Sequence, residues 1–280
     1  MSQISNNKTD QSEQKTGDSR LLVRAVSVIE AVSSSTAPLG VHDISRLTDI
    51  HPTTVLRISR TLCNYGWLIK DEDGKYRIGM SLYSIGCRYS QADDLKEVAY
   101  GAMEKLSKQV KQPVNLMIRQ NTQSILLQQI HQQNIYNTLG SVGSSLPLYL
   151  TACGKVMMSE LPDIILKDML QSFSYEPYTP NSIISPDRLL EQIKEVRKNG
   201  YAIDDQEAMW GAFCVAAPIR DESGQIIAGL SITSVVSYIR FKDEYIQAVK
   251  DYAGLITDKL KQLYKERGYL ISKVDKSRYE

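Results

Sequence analysis

Cysteine and histidine are both scarce in this chain. Its 280 residues hold four cysteines, at positions 63, 87, 153 and 214, and three histidines, at 42, 51 and 131. No cysteine belongs to a CxxC pair and no histidine to an HExxH spacing, which argues against a disulfide scaffold, a zinc finger or any other metal or cofactor site. An excess of one charge is missing as well. Lys and Arg total 33 against 32 Asp and Glu, a net charge of +1, so contact with nucleic acid or an anionic surface must be local. Residues 132–154 carry no charge, yet they are rich in Asn, Ser, Gly and Thr and contain Pro147, a composition unsuited to a membrane helix. The first 20 residues lack the apolar segment of a secretory signal, so the Asn7-Lys8-Thr9 glycosylation match carries no weight. The expectation from these absences is a soluble cytoplasmic protein. What is present is apolar material, 42% of the residues, enough to exclude disorder of the whole and to fill one large domain or two small ones.

Along the chain, residues 1–18 have Ile4 as the only large apolar residue after Met1 and read as a disordered tail. From Arg20, Leu22, Val26, Ile29 and Val32 recur at helical spacing and stop at a Ser-Ser-Ser-Thr-Ala-Pro run. A short helix fits residues 41–48. After the break at Asp49-Ile50-His51, a third fits residues 52–65, with Pro52 in the first turn and Gly66 as the cap. Residues 67–70 and 75–78 flank Asp71-Glu72-Asp73-Gly74 and read as a hairpin. Three short helices and a hairpin describe a winged helix-turn-helix, whose third helix enters the major groove of double-stranded DNA. Between Arg20 and Arg88 nine basic residues face six acidic ones, so this segment is basic although the chain is not.

At roughly 100° per residue, Val55, Ile58 and Leu62 fall on one side of the third helix, with Thr53, Arg57 and Arg60 on the other. Arg57 suits a guanine edge, and Thr53 or Thr54 a phosphate or a thymine methyl. Arg60 by itself reads more readily as an ordinary solvent-facing residue. Lys75 and Arg77 on the hairpin can reach a minor groove or phosphates, although Asp71, Glu72 and Asp73 at its tip repel the backbone.

The remainder predicts a linker helix over residues 82–89 and a helix over 93–110 with Leu95, Val98, Met103, Leu106 and Val110 on its apolar face. Strands follow at 114–119, 124–130 and 135–139, helices at 152–160, 163–172 and 186–199, and strands at 201–203, 213–219 and 226–233. A long helix closes the chain at 242–264. This order describes an α+β domain with a largely antiparallel sheet. Thr151 is a good N-cap for the helix that starts at Ala152, whose first amides then suit a small anion. The GxxxxGK[ST] pattern is absent, so this is no nucleotide-phosphate loop. Ser231 and Thr233 share one strand face. Cys214, in an apolar run, reads first as a core residue. No Ser/His/Asp or Cys/His set stands out, and an enzyme is not the leading expectation.

Together these motifs resemble the IclR family of bacterial transcription regulators, from Arg20 to about Tyr264. The matching pieces are Pro52-Thr53-Thr54-Val55 through Gly66-Trp67-Leu68; Leu146-Pro147-Leu148-Tyr149-Leu150-Thr151-Ala152-Cys153-Gly154-Lys155; Gly200-Tyr201-Ala202-Ile203-Asp204-Asp205-Gln206-Glu207; Gly211; Cys214-Val215-Ala216-Ala217-Pro218-Ile219; and Leu230-Ser231-Ile232-Thr233. The resemblance implies an N-terminal winged helix-turn-helix, a linker helix and a C-terminal GAF-like effector domain, assembled as homodimers or dimers of dimers on a pseudo-palindromic operator. It implies a small organic acid effector held by the amides of Ala152 and Cys153 and by Asp204, Cys214, Ser231 and Thr233. The implied division is a tail at 1–18, a DNA-binding domain at 19–80, a linker at 81–92, an effector domain at 93–268 and a tail at 269–280. This chain departs from the family at Tyr149, commonly His, and at Met209-Trp210, where relatives often have small residues and where Trp210 can add an apolar wall to the pocket. A ligand-responsive regulator, most simply a repressor, leads. A GAF-like thiol enzyme and a cysteine redox sensor, both resting on Cys153 or Cys214, are the alternatives.

Overall fold

The computed structural model describes residues 19–86, 90–131 and 140–266, which fall into two compact units dividing after Ser90. The N-terminal tail, the residues around the linker at 87–89 and the expected strand at 135–139 lie outside the described residues. No described helix is long and apolar enough to cross a membrane.

The first unit contains α1 (Arg20–Ser33), α2 (Val41–Thr48), α3 (Pro52–Asn64), the hairpin strands β1 (Leu68–Lys70) and β2 (Tyr76–Ile78), and α4 (Met80–Gly86). An apolar cluster joins the first three helices and the hairpin: Val28 and Val32 of α1, Ile44 of α2, Val55, Ile58 and Leu62 of α3, and Leu68 and Tyr76 of the hairpin. Leu39 pairs with Tyr76, which ties the chain before α2 to the wing. The apolar face expected of α1 needs correction. Val32 and, in part, Ile29 pack inward with Val28, but Leu22 and Val26 are 67% and 52% exposed. Leu21 and Val23 are also exposed, so α1 is apolar on more than its core face and periodicity alone does not choose the buried stripe.

The second unit opens with α5 (Ser90–Val110), followed by β3 (Val114–Gln120), β4 (Gln123–Ile130), β5 (Ser145–Pro147) and a 3-10 turn over Leu148–Leu150. Then come α6 (Ala152–Met158), α7 (Asp163–Ser172), α8 (Pro186–Asn199), β6 (Ala202–Asp205), β7 (Ala212–Arg220), β8 (Ile226–Val235), a second 3-10 turn and α9 (Lys242–Glu266). The six strands form one antiparallel sheet in the order β5-β4-β3-β8-β7-β6. Period-two alternation sends Phe213, Val215, Ala217 and Ile219 of β7, with Ala228, Leu230 and Ile232 of β8, to one face under α5 and α9. The other face, under α6 and α8, receives Ala202, Cys214 and Ala216. Both faces are covered, and so β7 is apolar along nearly its whole length.

Candidate functional site

On α3 the polar side is free. Thr53, Arg57 and Arg60 are exposed, Thr54 is half-buried, and Val55, Ile58, Ser59 and Leu62 face the core. His51, which the sequence marks only as part of a break, caps the helix. Its Nδ1 lies 2.9 Å from Thr53 Oγ1 and 3.4 Å from the Thr53 amide, so part of the Thr53 hydrogen-bonding capacity is used within the protein. On the wing, Lys75 is exposed and its amide donates to Asp71 Oδ1 at 2.8 Å. Arg77 lies 3.7 Å from Asp71, which offsets its charge as the acidic tip suggests. Lys70 stands over the Tyr76 ring at 5.9 Å from its centre. The module thus presents Arg57 and Arg60 as exposed cations along one helix, a shape that fits a groove.

The polar residues of the second unit converge on the sheet face beneath α6. Register places Asp204 of β6 opposite Cys214 of β7, and Cys214 opposite Thr233 of β8, so the three form a row across adjacent strands. The neighbouring row runs Ala202, Ala216, Ser231 and Asn115 to Gln129. Asn115 Nδ2 donates to Thr233 Oγ1 at 2.9 Å and Gln129 Nε2 to Asn115 Oδ1 at 2.7 Å, while Cys214 Sγ sits 3.3 Å from the same threonine hydroxyl. Sequence reasoning misses both Asn115 and Gln129; they lie on strands whose apolar pattern draws attention to their other residues.

A cavity of about 130 Å³ opens on the first row. Asp204, Cys214 and Thr233 supply its polar lining, and Leu146, Ala208, Met209 and Ala212 its apolar walls. The expected contribution of Trp210 is corrected: Met209 lines the cavity, whereas Trp210 is 65% exposed and does not. Ala152, Cys153 and Ser231 are buried beside this face but stand outside the lining of the cavity.

The reason is the closeness of α6 to the sheet and to the 3-10 turn before it. A Cβ on Gly229 would lie 2.8 Å from Cys153 Cβ, and a Cβ on Gly154 only 2.1 Å from the Leu148 carbonyl oxygen, so both positions demand glycine for packing. Thr151 performs the capping role its sequence position implies, accepting from the Gly154 amide at 2.9 Å and meeting Ser124 Oγ at 2.9 Å.

Lys155 is the residue whose environment the sequence does not disclose. Its side chain is 1% exposed, and Nζ donates to Glu207 Oε1 and Oε2 at 2.7 and 2.8 Å, to Gln192 Oε1 at 2.8 Å and to the Ile203 carbonyl at 2.5 Å. One ammonium thereby links α6, α8, β6 and the turn after it. Thr179 and Ser182 donate to the Gln206 and Glu207 carbonyls at 2.6 Å each, and Asn181 to the Asp205 carbonyl at 3.1 Å, which fixes the same turn from the other side. These partners are distant in sequence and no local spacing announces them.

Burial governs the ionisation of the site. Desolvation pushes the Asp204 carboxyl up to about 7, although Lys155 and the Glu207 and Ala208 amides pull it back. The Glu207 amide donates to Asp204 Oδ1 at 2.7 Å. Burial raises the Cys153 thiol to about 12 and that of Cys214 well above its ordinary value, so neither supplies a thiolate near neutral pH.

Comparison with known proteins bears directly on this arrangement. The IclR helix-turn-helix domain matches residues 21–72, and the C-terminal domain of the bacterial transcriptional regulator IclR matches residues 87–258, more than half of the chain. The chain is 28% identical over 217 residues to the HTH-type transcriptional regulator XynR of Escherichia coli K12, covering 77% of this chain and 86% of that one. It is 26% identical over 243 residues to the HTH-type transcriptional repressor AllR of the same strain, covering 85% and 89%. An IclR homolog from Microbacterium hydrocarbonoxydans, solved in complex with 4-hydroxybenzoate, shares the fold with a TM-score of 0.76 and 23% identity, covering 86% of this chain and 99% of that one. With both halves matched in order, a winged helix-turn-helix followed by the domain built on the six-stranded sheet, the chain belongs to the IclR family of bacterial transcriptional regulators.

Proposed function

We propose that this regulator binds a pseudo-palindromic operator through paired winged modules, as a homodimer or a dimer of dimers, and that a small organic acid in the second unit shifts its affinity for DNA. The observation that carries the effector half is the row Asp204, Cys214 and Thr233 lining a cavity of about 130 Å³. That volume lies below the roughly 300–1,000 Å³ of drug-sized sites and fits a guest of a few heavy atoms. The polar groups are spread along one side, so the guest is bifunctional: a 2-oxo or hydroxy acid rather than a plain fatty acid. In this reading the carboxylate approaches the first amides of α6 and the Ser231 and Thr233 hydroxyls, with a small outward shift of α6 opening the cavity toward Ala152, Cys153 and Ser231. Asp204 then meets the polar group at the other end of the ligand.

The DNA half rests on Thr53, Thr54, Arg57 and Arg60 of α3, with Lys75 and Arg77 of the wing as backbone contacts. Repression is the simplest sign of regulation, in keeping with AllR being a repressor. The 4-hydroxybenzoate complex of the Microbacterium protein supports an acid as the class of effector. The thiol-based alternatives lose ground to the burial and raised ionisation of Cys153 and Cys214. A thermal-shift screen of the intact protein against 2-oxo, hydroxy and aromatic acids tests the effector half. Saturating ligand at 100 times its dissociation constant raises stability by about 2.7 kcal/mol, and a panel without any stabilising acid would remove it.

A further inference from the structure

The cavity has an electrostatic peculiarity that bears on how an acid enters it, a question that arises only if the effector reading holds. Among the described residues its one charged liner is Asp204, which is only 3% exposed. No lining side chain among the described residues is cationic. The nearest ammonium, Lys155, is already held by both oxygens of Glu207, by Gln192 and by the Ile203 carbonyl, so it has no donor to turn toward a guest. The other titratable groups facing Asp204 are Cys153 from α6 and Cys214 from β7, both neutral thiols, and Glu207 on its own turn, which is paired with Lys155 and approached by Arg188 of α8. The face contributed by β8 is the neutral hydroxyl of Thr233.

A second anion placed in this cavity meets the Asp204 carboxyl with no free cationic side chain among the described lining residues to offset it. Two carboxylates that close in a low-dielectric space cannot both stay ionised, and the pair retains one proton. We propose that the effector anion enters the cavity together with one proton, which Asp204 takes up and then donates to the ligand as a hydrogen bond. Asp204 becomes a donor in the complex, and it selects a guest whose end remote from the carboxylate presents an acceptor, such as a carbonyl oxygen, to β6. The regulator reads acid and proton concentration jointly. The raised ionisation of Asp204 in the free protein already places this uptake within reach of neutral pH.

Isothermal titration of the intact protein with sodium pyruvate, glyoxylate and 4-hydroxybenzoate, each in two buffers of different ionisation enthalpy from pH 6 to 9, counts the protons. The expected result is uptake approaching one proton per site at pH 8. The dissociation constant should be nearly flat below pH 6.5 and rise about fivefold from pH 7 to 8, then about tenfold per unit beyond. Asp204→Asn should bind the same acid with no proton uptake and no pH dependence, its folding checked by its thermal transition. Binding without proton uptake in the wild-type protein would overturn the proposal while leaving the cavity as the effector site. Uptake that persists in Asp204→Asn would also overturn it, by assigning the proton to another group. If none of the three acids binds at millimolar concentration at any pH, the effector reading falls and this proposal with it.

Discussion

A carboxyl group buried as completely as Asp204 costs free energy whenever it ionises, and the sign of that cost can be followed with pH. The native group ionises at about 7, its unfolded counterpart near 3.8. Between these values the native state holds a proton that the unfolded chain has released. The contribution of Asp204 to stability is therefore fully present below about pH 4 and is lost as pH rises through 7. Asp204→Asn keeps an acceptor for the Glu207 amide but removes the charge. Relative to wild type, the variant should gain about 2 kcal/mol between pH 5.5 and 8, because one proton held only by the native state is worth about 1.36 kcal/mol for each pH unit up to 7. Urea unfolding at the two pH values measures the difference; parallel pH dependences would show that Asp204 is not ionising in this range. Gly154 is a second position where one atom decides. Its Cβ would sit 2.1 Å from backbone oxygen that cannot swing aside. Gly154→Ala should lose about 3 kcal/mol or more, at the upper end of overpacking costs, and a Tm unchanged within a degree would show that α6 has room to move.

At the scale of elements, the Lys155 ion pair joins α6 to α8, to β6, which carries Asp204, and to the turn that carries Glu207. Lys155→Met leaves the buried Glu207 carboxyl without its partner and should cost about 3–5 kcal/mol, whereas Lys155→Met with Glu207→Leu should cost clearly less, because no buried charge is then stranded. Denaturant unfolding of the single and double variants decides, and equal losses would mean that packing, not charge, is what Lys155 supplies. For α3, Arg57→Ala should weaken specific DNA binding by about 1–3 kcal/mol and relax one base position. Arg77→Ala should matter less, since Asp71 already lies 3.7 Å from that guanidinium. Anisotropy titrations on specific and random duplexes separate base readout from phosphate contact, and an equal loss on both duplexes would make Arg57 a phosphate ligand.

Much of this layer is legible in the sequence. The helices at Asp163–Ser172 and Pro186–Asn199 have the bounds that proline and glycine punctuation indicates, and α2 and α3 follow from the break at His51-Pro52. The inward-facing positions of β7 and β8 follow from alternation, which sets Ser231 with Thr233. What is not legible depends on partners far along the chain. Nothing near Lys155 marks it as buried, because Glu207 is 52 residues away. Strand β5 is only Ser145–Pro147 and shows no period. The exposed side of α1 is as apolar as its core side, so the pattern points to Leu22 and Val26 where Val28 and Ala25 pack.

For the whole molecule, an acid can alter DNA affinity only if DNA-competent and incompetent arrangements hold it with different strength. Typical coupling of about 1–3 kcal/mol corresponds to a roughly 5- to 150-fold change in affinity. Paired half-sites should lie one helical turn, about 10–10.5 base pairs, or a multiple of it apart, which footprinting of a selected duplex reads directly; a single unpaired footprint would contradict the two-fold arrangement. In the proposed function an acid bound over the row Asp204, Cys214 and Thr233 controls operator binding. The most direct test is the affinity of the intact protein for a duplex selected from a random pool, measured by anisotropy with and without the acid that stabilises it most. The wild-type protein should shift at least about fivefold and Asp204→Ala and Ser231→Ala not at all, both still binding the duplex. A wild-type-sized shift in both variants would place the controlling site elsewhere.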